Sequence, residues 1–370
     1  MTATVPDVRR IVVLRANSLG DYLLAEPALR ALHAHYPDAR ITLVGSPWQH
    51  GLLTARPSPV DEVRVLPRVP GLGGQPPDAP PTAQLPGFLR RVRACRPDLA
   101  LQLHGGGAAS NPVTTAFGAR ISAGPQAPAA PPLDRTIPYR YYQHETARHL
   151  EVVALVGARP APEGLDGGRP RFELTYADHT EADAALSHAG TPLVALHPGV
   201  SDPRRRWPTT SFAAVADELH ARGARVLLTG APADAELTAA VAEAARAPVL
   251  DLTARTSLGG LAAVYRRCAL VVGVDTGPLH LARAVATPTV TIFWCGNAIN
   301  AAPAERRADR VVIGWTLRCP DCGASCHNDL YPLRGLGDGC PHHSSWIADV
   351  PPGEVVEEAV DMLDHGPRRR

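Results

Sequence analysis

The chain has 370 residues, 45% of them hydrophobic and 20% charged, the profile of a globular protein with a sizeable core and enough length for two domains. With 37 basic against 36 acidic residues the formal net charge is +1, which excludes a polyanion-binding surface and hence a nucleic-acid partner. Every basic residue is arginine, which reads as the codon bias of a GC-rich genome rather than as chemistry.

In chain order, residues 10–15 read as a buried β-branched strand and 21–36 as a helix, with Leu23, Leu24, Ala28, Leu29 and Leu32 at helical spacing. The apolar run at 11–14 is too short for a signal-peptide core, and no stretch approaches the ~20 apolar residues that span a bilayer. The expectation is a cytoplasmic protein without a transmembrane segment. Further strands are expected at 40–45, 61–66 and 98–103, with a Pro/Gly-rich mobile loop at 67–87. The helix after that loop carries Arg90, Arg91, Arg93 and Arg96, a basic face for solvent, for an anionic acceptor or for peripheral contact with a membrane surface. A helical stretch at 149–156 leads to an interdomain linker at 158–170. The second half alternates more cleanly, with strands at 193–197, 224–229, 248–252, 269–274 and 287–293 and helices at 210–221, 234–246, 258–266 and 278–286. A last helix covers 352–365. The expected architecture is α/β: an N-terminal Rossmann-like domain at 1–165, a second at 175–350 and the C-terminal helix, with a ligand cleft between the two domains.

Three segments carry candidate chemistry. At Asp275, Thr276, Gly277, Pro278 and His280 a strand runs into a helix whose first turn carries a proline, so free amides and the positive end of the helix dipole can cradle a diphosphate. At 197–208, His197, Pro198 and Gly199 lead into Arg204, Arg205 and Arg206, whose guanidinium forks match phosphate geometry, or of which only one meets ligand while the others pair with carboxylates. At 15–21, Ser18 and Gly20 precede Asp21 at a helix N-terminus, where a carboxylate could take a proton from a sugar hydroxyl or simply cap the helix. His104, followed by three glycines, closes the strand at 98–103 and could line the acceptor side.

In this order the three segments resemble glycosyltransferase family 9, the heptosyltransferases. The resemblance spans about residues 9–295 and rests on an R-x-x-S-L-G-D start (15–21), an H-P-G to W-P segment (197–208) and D-T-G-x-x-H-x-A (275–282). It implies a GT-B fold, two Rossmann-like domains facing a central cleft. It also implies inverting, metal-independent transfer from a nucleotide-diphosphate sugar, ADP-heptose above all, to a saccharide acceptor. If the GC-rich codon bias marks an organism without lipopolysaccharide, the expected acceptor is an aminocyclitol or other antibiotic scaffold, or a cell-envelope glycan. The resemblance puts Asp21 at the catalytic base, Ser18, Gly20 and His104 on the acceptor side, and Arg205, with Arg204, His197 and Gly199, at the donor phosphates. Thr276, Gly277 and His280 fall on the diphosphate turn and Asp275 on the sugar-contacting acid, while Thr229, Gly230, Ser257 and Leu258 fall in the nucleoside region. Arginine at 205 stands where the family has lysine, which keeps the charge and alters the hydrogen-bond geometry. The same architecture also serves nucleotide-sugar epimerases and non-catalytic nucleotide-sugar binders.

No cofactor is expected in catalysis. The segment 318–343 departs from the best-known lipopolysaccharide enzymes and holds Cys319, Cys322, Cys326 and Cys340, with His327, His342 and His343 nearby. Cys-x-x-Cys is a metal spacing, and a structural zinc, reduced thiols or a disulfide all remain open on sequence. Cys95, Cys268 and Cys295 read as core or shielded thiols.

Overall fold

The computed structural model describes residues 4–73, 75, 80, 82–159, 168–187, 190, 192–326 and 340–367. Parts of the expected loop (74, 76–79, 81), most of the expected linker (160–167) and His327 lie outside the described residues. The chain divides into two compact units, Met1–Pro170 and Arg171–Arg370.

The first unit is a six-stranded parallel sheet of β1 (Arg10–Leu14), β2 (Arg40–Gly45), β3 (Glu62–Val65), β4 (Leu99–Gln102), β5 (Ile121–Gln126) and β6 (Arg135–Pro138), in the order β3-β2-β1-β4-β5-β6. Helices α1 (Leu19–His35), α2 (Pro47–Leu53), α3 (Gln84–Ala94), α4 (Ser110–Ala116) and α5 (Glu145–Ala154) connect and flank the strands. The central strands are apolar throughout because helices cover both faces of a parallel sheet; Ile11, Val13 and Leu14 are fully buried. On α3, Phe88 and Val92 face inward, while Arg90, Arg91 and Arg93 are exposed, as is Arg96 just past the helix end.

The second unit opens with α6 (Tyr176–Ala185) and repeats the scheme through β7 (Leu193–His197), α7 (Thr209–Ala221), β8 (Arg225–Leu228), α8 (Ala235–Ala244), β9 (Val249–Asp251), α9 (Leu258–Arg267), β10 (Leu270–Val274), α10 (Gly277–Ala284), β11 (Thr289–Trp294), α11 (Cys295–Ala301) and β12 (Asp309–Gly314). Its all-parallel order is β12-β11-β10-β7-β8-β9. This sheet has six strands where the sequence pattern suggests five. β12 begins with Asp309 and Arg310, which masks its apolar alternation. The final helix α12 (Pro352–His365) buries Val355, Ala359 and Met362 in the same core as the sheet. Among the described residues no helix is long and apolar enough to cross a membrane.

Both sheets have the strand order of a Rossmann fold, with the chain reversing direction of travel between β1 and β4 in one unit and between β7 and β10 in the other. Ligands of such sheets collect at that reversal, outside the carboxyl ends of the strands. Close packing there depends on Gly273, where a Cβ would lie 2.6 Å from the His197 carbonyl oxygen and 2.7 Å from Leu279 Cδ2. Gly273→Ala is expected to cost about 1–3 kcal/mol of stability through overpacking. Denaturant melts of the two proteins check this, and an unchanged midpoint would mean that β7 and β10 part freely.

Candidate active site

At the β1/β4 reversal of the first unit, Ser18 caps α1 and Asp21 occupies the third helical position. The Ser18 N–H donates to Asp21 Oδ2 at 3.2 Å and the Ser18 hydroxyl to the same oxygen at 2.7 Å. From the other side Arg15 Nη2 donates to Asp21 Oδ1 at 3.1 Å, and Arg15 Nε to the Asp21 carbonyl at 3.1 Å. Arg15 is only 2% exposed, and a buried guanidinium must find acceptors for its protons. The Leu103 carbonyl takes Nη1, and Glu145 Oε2 on α5 lies 3.6 Å from Nη2. Glu145 also pairs with Arg148 and stands 3.3 Å from His149 Nε2. Burial alone would raise the Glu145 carboxyl, but the His149 hydrogen bond and the charges around it, Arg15 and Arg148 among them, hold it below the usual carboxylate range.

His104, just past β4, accepts the Ala16 N–H at Nδ1 over 3.3 Å. Burial, then the Arg15 charge, pushes its pKa down to about 4, so at neutral pH the ring is uncharged with its proton on Nε2. The structure therefore brings Ser18, Asp21 and His104 to one place. Asp21 keeps 36% of its side chain exposed, open to a ligand. The sequence pattern gives no hint of Glu145, which arrives from a helix 124 positions beyond Asp21 and carries no local signature.

At the β7/β10 reversal of the second unit the centre is Asp275. Its Oδ2 accepts from Arg205 Nη1 at 3.1 Å and from Asn297 Nδ2 at 2.8 Å, and its Oδ1 lies 3.4 Å from His280 Nε2. Burial would raise this carboxyl, but the His280 hydrogen bond, the Arg205 charge and Asn297 hold it below its ordinary range. Only 7% of the side chain is exposed, so the expected sugar-contacting acid is engaged beneath its neighbours, positioning Arg205 and His280. Arg205 also donates Nη1 to the Asp275 carbonyl at 3.2 Å, and among the described residues Nε and Nη2 are left unengaged. Beside them Thr276, Gly277 and Pro278 form the partly exposed N-terminus of α10. Asn297 is not legible as a site residue in the sequence. The one clue is that it follows β11, the strand next to β10.

Four of the expected donor and nucleoside residues, Arg204, His197, Thr229 and Ser257, bond within the protein. Arg204 does not share the Arg205 position: it donates to Asp202 through Nη2 at 2.8 Å and Nε at 3.0 Å, and its guanidinium lies 4.6 Å from the Trp346 ring centre. A carboxylate two residues away and an aromatic face outcompete the site for it. His197 and Thr229 are buried rather than presented to the donor. His197 Nδ1 is 3.0 Å from Thr229 Oγ1 and 3.2 Å from the Tyr265 hydroxyl, and those two hydroxyls are 2.9 Å apart. Burial pushes the His197 pKa down to about 4, so this ring of hydrogen bonds is neutral. Ser257 is also engaged: it caps α9 at Gly260 and donates its N–H and hydroxyl to Glu181 at 2.6 and 2.5 Å, beside Leu258 at the helix start.

Gly199 and Gly230 serve backbone approach around Asp234. A Cβ on Gly199 would lie 2.4 Å from Asp234 Oδ2, and one on Gly230 would lie 3.0 Å from Asp234 Cβ.

The cysteine segment assembles differently from the four-cysteine set. Single ligand atoms of Cys319, Cys322, Cys340 and His342 all lie within 4.8 Å of one another. Cys326 stands outside this group, fully buried, and its thiol is pushed up to about 11 first by burial and then by the neighbouring Cys319 and Cys340. Cys268 is buried, and Cys95 and Cys295 are half-buried.

Two doubly wound units, one presenting a carboxylate and the other a guanidinium beside a helix N-terminus, define a two-unit α/β protein with the parts to handle an anionic ligand. The sequence pattern of glycosyltransferase family 9 (heptosyltransferase) matches residues 87–331, and the chain belongs to that family. It is 29% identical over 210 residues to lipopolysaccharide heptosyltransferase 3 of Escherichia coli, a match covering 55% of this chain and 57% of that protein, less than two thirds of its length. It is 24% identical over 367 residues to lipopolysaccharide heptosyltransferase 2 of Salmonella typhimurium, covering 96% and 98%. The solved structure of the E. coli ADP-heptose LPS heptosyltransferase II superimposes with a TM-score of 0.70 at 19% identity, covering 96% of this chain and 98% of that one, and shares the GT-B fold.

Proposed function

We propose that the protein is an inverting glycosyltransferase that moves heptose from ADP-heptose to a hydroxyl of a cell-envelope saccharide. The observation that carries this reading is the Asp275 cluster, in which a buried carboxylate aims Arg205 beside the α10 N-terminus. That pair of cationic and amide donors suits a nucleoside diphosphate, and the heptosyltransferase relatives supply the sugar. In the transfer, Asp21 accepts the proton of the acceptor hydroxyl as that oxygen attacks the anomeric carbon. The bond to the diphosphate breaks, and Arg205 with the Thr276–Gly277 amides takes up the charge on the departing group, so the chemical step needs no metal or cofactor. Ser18, Gly20 and His104 belong to the acceptor side, and the cytoplasm, where sugar nucleotides are made, is the compartment that fits.

The test is thermal stability against ADP, UDP, GDP and dTDP, followed by assay with ADP-heptose. A nucleotide at about 100 times its Kd adds about 2.7 kcal/mol, a rise of several degrees. The expected result is a shift with ADP that is lost in Thr276→Ala/His280→Ala. A preference for UDP or dTDP would overturn the heptose assignment, and no shift at all would favour a protein that has lost its donor.

A further inference from the structure

The transfer chemistry makes no use of the thiols after β12, yet their geometry is specific. Cys322 Sγ is 3.5 Å from Cys340 Sγ, and Cys340 Sγ is 3.5 Å from His342 Nδ1. Around a tetrahedral zinc ion, bond lengths of about 2.3 Å to sulfur and 2.0–2.1 Å to nitrogen place sulfurs about 3.8 Å apart and sulfur about 3.6 Å from nitrogen. These two distances stand close to those spacings, and all four donor atoms lie within 4.8 Å of one another. The backbone is folded to present them. Arg318 and Ser325 pair as an antiparallel bridge, the Cys319 N–H donates to the Ala324 carbonyl at 2.8 Å and the Gly323 N–H to the Cys319 carbonyl at 2.9 Å. Gly323 takes φ +70°, the left-handed conformation that closes this knuckle. The N–H groups of Cys322 and Asp321 are directed at the Cys319 sulfur.

The chain after His342 runs directly onto the arginine turn of the donor site. The Ser345 hydroxyl donates to the Arg206 carbonyl at 2.5 Å and the Trp346 N–H to the Arg204 carbonyl at 2.7 Å. The Trp346 ring lies under the Arg204 guanidinium and 4.8 Å from the Trp294 ring. We propose that Cys319, Cys322, Cys340 and His342 bind one zinc ion in a closed structural site, and that the ion clamps residues 340–347 against the turn carrying Arg205. A Cys₃His set fills all four positions of the ion, so it has structural work and none in the transfer step.

The experiment is elemental analysis of the untagged full chain, with hydrogen exchange before and after chelation. The expected wild-type content is about one zinc per chain, retained by Cys326→Ser and lost by Cys340→Ser. Stripping the metal should speed amide exchange both at 340–347 and at 203–206, and added Zn²⁺ should reverse it. Less than roughly 0.2 zinc per chain after reconstitution, one iron in its place, or a Cys322–Cys340 disulfide on a non-reducing peptide map would overturn the zinc site. Loss of the metal in Cys326→Ser would overturn the donor set, and unchanged exchange at 203–206 would overturn the clamp. These readouts are independent of sugar transfer, so they stand apart from the proposed activity.

Discussion

Asp21→Asn is expected to reduce transfer by about 10²–10⁴-fold while leaving nucleotide affinity within about twofold of wild type. Asparagine has nearly the shape of aspartate, and its amide oxygen can still accept from Ser18 or Arg15, so the α1 start keeps most of its local bonds. What it cannot do is accept the proton of an attacking hydroxyl. The change does remove a negative charge beside Arg15, and a buried guanidinium with fewer counter-charges destabilises the fold. Glu145, 3.6 Å from the same Nη2, limits that loss, so a fall in melting temperature of a few degrees is expected rather than unfolding. Because nucleotide binding is assigned to the second unit, ADP affinity serves as the internal control. Single-turnover rates with matched ADP titrations make the check, and transfer comparable to wild type would remove Asp21 as the base.

Arg205→Ala should strike both binding and chemistry. Its guanidinium is the group assigned to the charge that develops on the departing diphosphate, and loss of one such preorganised donor costs about 10²–10³ in rate. The variant should also bind ADP more weakly, which Asp21→Asn should not. Asp275 would then keep only His280 and Asn297, so its carboxylate would stay partly satisfied and the protein folded. Arg205→Lys is expected to recover part of the rate, since an ammonium restores charge but not the two remaining guanidinium donors. Calorimetric ADP binding alongside kcat separates the effects. Unchanged ADP affinity in Arg205→Ala would place the phosphates elsewhere.

Much of this was legible in sequence because each candidate loop joins a β-branched strand to a capped helix, and those signals are local. Ser18 before Asp21 and Thr276 before Gly277 and Pro278 announce helix starts whatever the rest of the chain does. Three strands, β5, β6 and β12, were not legible. β5 reads Ile-Ser-Ala-Gly-Pro-Gln, with glycine and proline where strand propensity is lowest, and it is a strand because β4 and β6 flank it. Partnerships were hidden for the same reason. Whether Arg204 or Arg205 meets a ligand depends on Asp202 and Trp346, and the orientation of Asp275 depends on Asn297, 22 positions away across β11. His197 looked like a ligand because it opens a motif. Its burial and its bonds to Thr229 and Tyr265 carry no signal in that motif.

The capping box around Asp21 also bears on which hydroxyl a polyol acceptor can offer. A carboxylate has about four lone-pair directions. The Ser18 N–H and hydroxyl occupy the two on Oδ2, and Arg15 occupies one on Oδ1. Among the described residues a single direction is left, set by one main-chain and two side-chain donors that hold the carboxylate from both sides. An acceptor that uses this carboxylate must approach along that line, so its regiochemistry is written into the first turn of α1.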